Sequence, residues 1–246
     1  MKITDEVYAV GGGRAGLGIS NEYDCNVFLI DGGDELALID AGCGYDVEPI
    51  ESNIRRAGFE PTRVGRLLLT HAHADHCGAS AALRDRLGLE VALARQEAEF
   101  LEQGDEAAIS LDRARAEGIY PADYRLTPCT VDRRLSHGDE VRCGHLVVRA
   151  IGVGGHSPGS ICYLLSGGQR SCLFSGDTVF PFGTISLLNC EGSSLAGYRR
   201  DIGRLADLGV EALLPGHGGF CLGGGQRHID EAIAAFKSIW PPRNYR

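Results

Sequence analysis

The sequence predicts an α/β (α+β) fold in which two β-sheets are covered by helices. Short apolar runs bounded by turn residues recur along the chain, and segments with helical periodicity fall outside those runs. With 246 residues, 43% of them apolar, the chain can fill a substantial core. It shows no linker, repeat or low-complexity stretch, so a single domain over residues 1–246 is expected.

Val7 to Val10, Cys25 to Ile30, Glu35 to Ile39 and Arg66 to Thr70 read as strands, and Asp31-Gly32-Gly33-Asp34 reads as a hairpin turn between two of them. Asp46 to Ala57 carries apolar residues at Val47, Ile50, Ile54 and Ala57, the spacing of a helix, with Gly58 as its C-terminal cap. Cys77 to Leu87 is the next predicted helix, ended by Gly88. Gln96 to Gly118, charged and alanine-rich, is expected to be helical and to form an excursion over the site. Strands resume at Glu140 to Ile151, Ser160 to Leu165 and Ser171 to Ser175. A helix over Ser194 to Leu208, a strand at Ala212 to Leu214 and a last helix from Gln226 to Ile239 follow, the Pro241-Pro242 pair stopping the chain there.

The net charge of -9 and a pI near 5.4 leave no broad basic surface for phosphates, which argues against a nucleic-acid partner. No stretch approaches the roughly 20 apolar residues needed to span a bilayer. Met1 to Glu6 lacks the apolar middle of a signal peptide, so a cytoplasmic protein with no membrane partner is expected. Nine scattered cysteines without a Cys-x-x-Cys pair argue against both a disulfide framework and a cysteine zinc knuckle.

The chemistry concentrates in Thr70-His71-Ala72-His73-Ala74-Asp75-His76, where four candidate metal ligands follow a strand directly. His156 lies in Gly154-Gly155-His156-Ser157-Pro158-Gly159, Asp177 follows the strand ending at Ser175, and His217 follows Leu214 in Pro215-Gly216-His217-Gly218. These residues make two sets around two ions: His71, His73, His156 and Asp177, and Asp75, His76, His217 and Asp177, the last carboxylate being shared. Each ligating imidazole needs its other ring nitrogen held, and Asp40, at the end of its own strand, is the expected partner. His137, His145 and His228 lack such company and are read as structural. Gly11-x-Gly13-x-x-Gly16 matches a dinucleotide fingerprint literally, but no helix follows it, so it is read as a hairpin or loop.

The ordered set His71-x-His73-x-Asp75-His76, His156, Asp177 and His217 resembles the metallo-β-lactamase-fold hydrolase superfamily over nearly the whole chain. The resemblance implies a four-layer αββα sandwich of two mixed sheets, with the metals in a groove at one edge of both. It is closest in kind to the glyoxalase II-like and lactonase-like branch with a bridging aspartate. β-Lactamases of the commonest type have a cysteine at the Asp177 position. Glyoxalase II and persulfide dioxygenase carry a glycine-arginine-rich segment where this chain reads Val179-Phe180-Pro181-Phe182-Gly183-Thr184-Ile185. Quorum-quenching lactonases have tyrosine where Phe180 stands.

The implied activity is a dinuclear metal-dependent hydrolase of a small ester, thioester or lactone. Two divalent ions per chain, zinc first with iron or manganese as alternatives, would supply a bridging hydroxide by lowering the pKa of water toward about 7. Asp75 is the expected catalytic residue, orienting that hydroxide and passing a proton onward. Phe180, Phe182 and Leu187 are the candidate pocket wall for a small, partly apolar substrate. The competing reading is an iron-dependent sulfur (persulfide) dioxygenase-like oxidoreductase, against which the second set, His76 and His217 included, argues.

Overall fold

The computed structural model describes residues 1–245. Its first sheet has the order β1 (Val7–Gly11), β2 (Val27–Asp31), β3 (Leu36–Ile39), β4 (Val64–Leu68), β5 (Glu90–Ala94) and β6 (Arg133–Leu135). The second runs, from one edge to the other, from β7 (Glu140–Cys143) through β8 (Leu146–Gly152), β9 (Ile161–Ser166) and β10 (Cys172–Gly176) to β11 (Ala212–Pro215). Both sheets are mixed: β3 to β6 pair in parallel and so do β10 and β11, while the remaining pairs are antiparallel.

The strands read as continuous apolar runs because both faces of each sheet are covered. Phe28, Ile30, Ala37, Ile39 and Leu68 of the first sheet pack against Tyr163, Leu165, Phe174 and Leu214 of the second, forming the layer between them. The alternate residues Val27, Leu29, Leu36, Leu38 and Leu67 face outward into a cluster with Ile50 and Ile54 of α1 (Glu48–Arg56), Leu83 of α3 (Ser80–Leu87, preceded by the single turn α2, Ala74–Cys77) and Leu101 of α4 (Ala98–Gln103). On the far side Cys162, Leu164, Leu173 and Leu213 pack against Tyr198 of α6 (Leu195–Asp201) and Ile229 and Ala232 of α7 (Gly225–Ala235), with α5 (Leu111–Ala116) joining the first outer cluster through Leu111. The period of two thus divides each strand between a shared inner layer and a helical outer layer, an αββα sandwich.

Several predicted boundaries move. Glu140 to Ile151 is two strands, because Gly144 turns the chain in a left-handed conformation and β7 pairs back on β8. The predicted helix from Cys77 breaks at Gly78 and Ala79, where the Ala79 N–H donates to the Gly42 carbonyl and a side chain at Gly78 would strike the Cys43 carbonyl. The excursion over 96–118 is two short helices, α4 stopped by left-handed Gly104 and α5 started after left-handed Ser110. The helix expected to reach Leu208 tightens after Asp201 into a 3-10 turn, and α7 ends at Ala235 in i→i+3 bonds from Lys237 and Ser238. β5 and β6 had no expectation; two of the five residues of β5 are alanine, and β6 is a three-residue edge strand with two exposed arginines.

Because β9 is antiparallel to both neighbours and β11 is parallel to β10, strands β8, β10 and β11 run in one direction and end at the same rim. The ends of β3 and β4 meet them there: the Ile161 N–H donates to the Thr70 carbonyl (2.8 Å) and the Tyr163 hydroxyl to the Leu69 carbonyl (2.8 Å). Phe28 and Phe174 hold the sheets together nearby, their ring centroids 5.4 Å apart. Phe174→Ala should therefore cost about 3–5 kcal/mol in urea unfolding; a loss below about 1 kcal/mol would show that this ring does not bridge the layers.

Candidate metal centre

Every predicted ligand comes after the carboxyl end of a strand, with His71, His73, Asp75 and His76 after β4, His156 between β8 and β9, Asp177 after β10 and His217 after β11, while Asp40, the expected ring partner, follows β3. The structure brings all seven together. His73 Nδ1 lies 3.1 Å from His71 Nε2 and 2.9 Å from His156 Nε2. A second group forms around His217 Nε2, which is 3.0 Å from Asp75 Oδ2 and 3.3 Å from His76 Nε2. Asp177 stands between them, 3.7 Å from His156 Nε2, 3.4 Å from His76 Nε2 and 3.5 Å from His217 Nε2.

The surroundings fix how these rings face. His76 Nδ1 donates to Asp40 Oδ2 at 2.8 Å, and His156 Nδ1 donates to the Ser186 carbonyl at 2.9 Å, so both rings turn Nε2 lone pairs into the centre. The Thr70 hydroxyl sits between Asp40 (2.9 Å) and His71 Nδ1 (3.0 Å). Donating to the carboxylate, it leaves its oxygen to accept from His71, which aims a third lone pair inward. Asp40 also accepts the Thr70 N–H at 2.7 Å and reaches this position from a left-handed backbone (φ 61°), a strained conformation that aspartate tolerates better than most residues.

These ring nitrogens converge, and the buried Asp177 Oδ1 has no hydrogen-bond partner. Nitrogen and carboxylate donors packed this closely suit a divalent cation of the zinc class, and the residues present fit such an ion in each group. The electrostatics differ between the two. Burial and the neighbouring imidazoles hold His71 well below the usual histidine pKa, and burial with His156 nearby brings His73 down to about 3. Burial opposes charge on His76 and His217 as well, but the carboxylates around them prevail and raise both. Burial likewise works to raise Asp75 and Asp177, yet the facing histidines keep both carboxyls ionised.

Close approach of backbone is part of the design. A Cβ on Gly216 would lie 2.6 Å from both Asp177 Oδ1 and His76 Cε1, so only glycine lets the His217 loop pass under the cluster. That loop is clamped from the start of the chain: the Asn26 N–H donates to the Gly216 carbonyl (2.7 Å), its side-chain amide to the carbonyls of Pro215 (3.1 Å) and Gly218 (3.2 Å), and the Gly218 N–H to the Ala15 carbonyl (2.7 Å). The Gly11–Gly16 segment, a loop without a following helix, thus supports the His217 loop.

A cavity of about 440 Å³ opens over the cluster, with His73, Asp75, His156, Asp177 and His217 at its floor. Phe180, Phe182 and Leu187 are not among the residues that line it. Phe180 is buried and stacked on Tyr245 (4.3 Å), Phe182 points outward against His228, and Leu187 packs into the outer layer beneath α6 and α7. The wall comes instead from residues between Ile109 and Tyr120, together with Ser186, Leu188, Asn189 and Cys190. His145 and His228 make their contacts elsewhere, with Gly32 and with Phe182 and Cys221.

Sequence reasoning missed Glu97, which reads as a solvated acid at the start of a helix. It is 1% exposed. Its Oε2 accepts the Ala72 N–H (2.7 Å), and its Oε1 accepts the Gly159 N–H (2.7 Å) and the Ser157 hydroxyl (2.5 Å), so one carboxyl joins the His71–His73 segment to the His156 loop. Burial pushes its pKa up, and these three donors pull the other way. Glu97→Gln keeps the shape but turns an NH2 toward an N–H donor. Metal affinity should fall about 10- to 100-fold, as read by competition with a chromophoric chelator; an unchanged affinity would make Glu97 a packing residue only.

Comparison with known proteins agrees with this geometry. The profile of the metallo-beta-lactamase superfamily matches residues 21–217. Acyl-coenzyme A thioesterase MBLAC2 of Gallus gallus is 32% identical over 209 residues, covering 78% of this chain and 72% of the relative. Hydroxyacylglutathione hydrolase of Chelativorans sp. (strain BNC1) is 29% identical over 163 residues, 66% of this chain, and the match spans about half (47%) of that relative's length. Among solved structures, a metallo-beta-lactamase of Cronobacter sakazakii superposes with a TM-score of 0.74 at 21% identity, covering 96% of this chain and 95% of the other. The subclass B3 enzyme BJP-1 of Bradyrhizobium japonicum gives 0.72 at 22%, covering 95% and 89%. With a profile match that runs from the segment before β2 to His217 and a fold shared at both sheets, the chain belongs to the metallo-beta-lactamase superfamily.

Proposed function

We propose that the protein is a metal-dependent hydrolase that holds two divalent ions, zinc first, and cleaves a small ester, thioester or lactone. The observation that carries this reading is Asp177: a buried carboxylate within 3.7 Å of both imidazole groups, with one oxygen unpartnered. His71, His73 and His156 would hold one ion and Asp75, His76 and His217 the other, Asp177 being shared. Bound there, divalent ions supply Lewis acidity and make hydroxide available from water near neutral pH. The relatives add support in kind, since hydroxyacylglutathione hydrolase and acyl-coenzyme A thioesterase are both named for thioester cleavage.

The chain's own groups have separable tasks. Asp75, ionised and open to the cavity, can accept a hydrogen bond from a water molecule and orient it, and His217 lies 3.0 Å away. Asp40, Thr70 and the Ser186 carbonyl keep the rings turned inward. A small-molecule substrate follows from the cavity's size. No helix among the described residues is long and apolar enough to cross a membrane.

Elemental analysis of purified protein should give two zinc-class ions per chain, with hydrolysis of 4-nitrophenyl acetate or a simple thioester abolished by chelator and restored by zinc. One iron per chain with oxygen consumption on a persulfide would overturn the hydrolase reading. Asp177→Ala should lose both ions and reduce turnover by at least about 1000-fold; a variant that keeps both ions would remove Asp177 from its shared place.

A further inference from the structure

We propose that the wall formed by residues 109–120, with Leu188 opposite, is an acyl pocket, so that the substrate is an ester or thioester of an apolar carboxylic acid. This rests on the hydrolase reading for the reaction and on the cavity alone for the acid. Ile109, Leu111, Ala114, Ile119, Tyr120 and Leu188 all line the cavity whose floor is the metal-binding cluster. Ile119 is 54% and Leu188 41% exposed, so the apolar surface continues to the mouth, where large aliphatic side chains carry a hydration cost unless something covers them.

Charge on the wall points the same way. Among the described residues, and apart from the cluster, the charged groups lining the cavity are Arg113 and Glu117, which pair with each other: Arg113 Nε donates to Glu117 Oε1 at 3.1 Å. The remaining reach of Arg113 goes to the Asn189 carbonyl, which ties α5 to the opposite lip. Both side chains are half exposed, so the pair lies at the solvent side of the cavity and the wall between it and the cluster is formed by uncharged groups. Ser110, in its left-handed turn, sets α5 at the angle that brings Leu111 and Ala114 over the floor.

In the reaction a water oxygen adds to the acyl carbon and the C–O or C–S bond breaks. The alcohol or thiol leaves with one hydrogen of the water, and the acid keeps the other with its oxygen. The alkyl chain takes no part and lies along the wall, where each methylene removed from water contributes up to about a 4-fold gain.

The test uses zinc-loaded protein and two parallel series, 4-nitrophenyl esters and N-acetylcysteamine thioesters of acetic, butyric, hexanoic and octanoic acids. kcat/KM should rise about 2- to 4-fold per methylene until the cavity fills, and the better of the two series identifies the leaving group. Cleavage of the acetyl compounds with a flat or falling series would overturn the acyl pocket and leave the hydrolase standing. Should no member be cleaved, the ester and thioester readings of the hydrolase fail. Calorimetric binding of octanoate against butyrate to the same protein then decides the pocket: tighter binding of octanoate supports it, equal binding overturns it. Ala114→Phe should move the optimum to shorter chains. Leu188→Ser, a change at the exposed mouth that needs no core repacking, should reduce the octanoyl advantage at least about 3-fold; an octanoyl preference untouched by both variants would overturn the assignment of this wall.

Discussion

Seven ionisable side chains are brought out of water at one rim, and the way their charge is compensated governs the rest of the molecule. Imidazole lone pairs and carboxylates that face one another are costly in a dry protein interior. The chain meets that cost on the outer side of each ring, through Asp40, Thr70 and the Ser186 carbonyl, and leaves the inner side as a set of donors for cations. Stability and chemistry are therefore in tension here: the arrangement that binds metal is the one a metal-free interior would avoid. A rigid frame of two sheets, joined at the same rim by the Ile161–Thr70 and Tyr163–Leu69 bonds, is what keeps the donors from relaxing apart.

The candidate centre was legible in the sequence because ligand chemistry depends on residue type and on position after a strand, and both are written locally. His71-x-His73-x-Asp75-His76 sits directly behind β4, and His156 and His217 stand among glycines that allow close turns. Asp40 was legible for the same reason. Glu97 was not, because its role arises from two loops that come together only in the folded chain, and in sequence it looks like any acid beside a helix. Phe180, Phe182 and Leu187 were chosen for being apolar and near Asp177 in sequence. Proximity along the chain did not translate into a common cavity, since the segment after Asp177 folds back toward α7 and Tyr245.

The fold shows the same division. Long apolar strands and the αββα layering follow from alternation that satisfies two faces at once. What escaped was short or punctuated: the three residues of β6, the alanine-rich β5, and the tight turn at Gly144 that splits one apparent strand in two. Each carries too few side chains for periodicity to speak, and each is specified by neighbours far away in the chain. The two helices between Gln96 and Gly118 were expected as an excursion over the site, and the observed wall at Ile109 to Tyr120 gives that excursion a physical purpose.

The clamp between Asn26 and the His217 loop spans 189 and 192 positions of sequence. A chain emerging from the ribosome can pair β1 to β5 early, but the rim stays open until Pro215 to Gly218 has been synthesised and docked beneath residues near the beginning. Contacts of such separation form late because their closure entropy must be met before they contribute. The group around His217 therefore takes its final geometry only after this loop has docked, whereas His71, His73, His156 and Asp177 all precede it in the sequence.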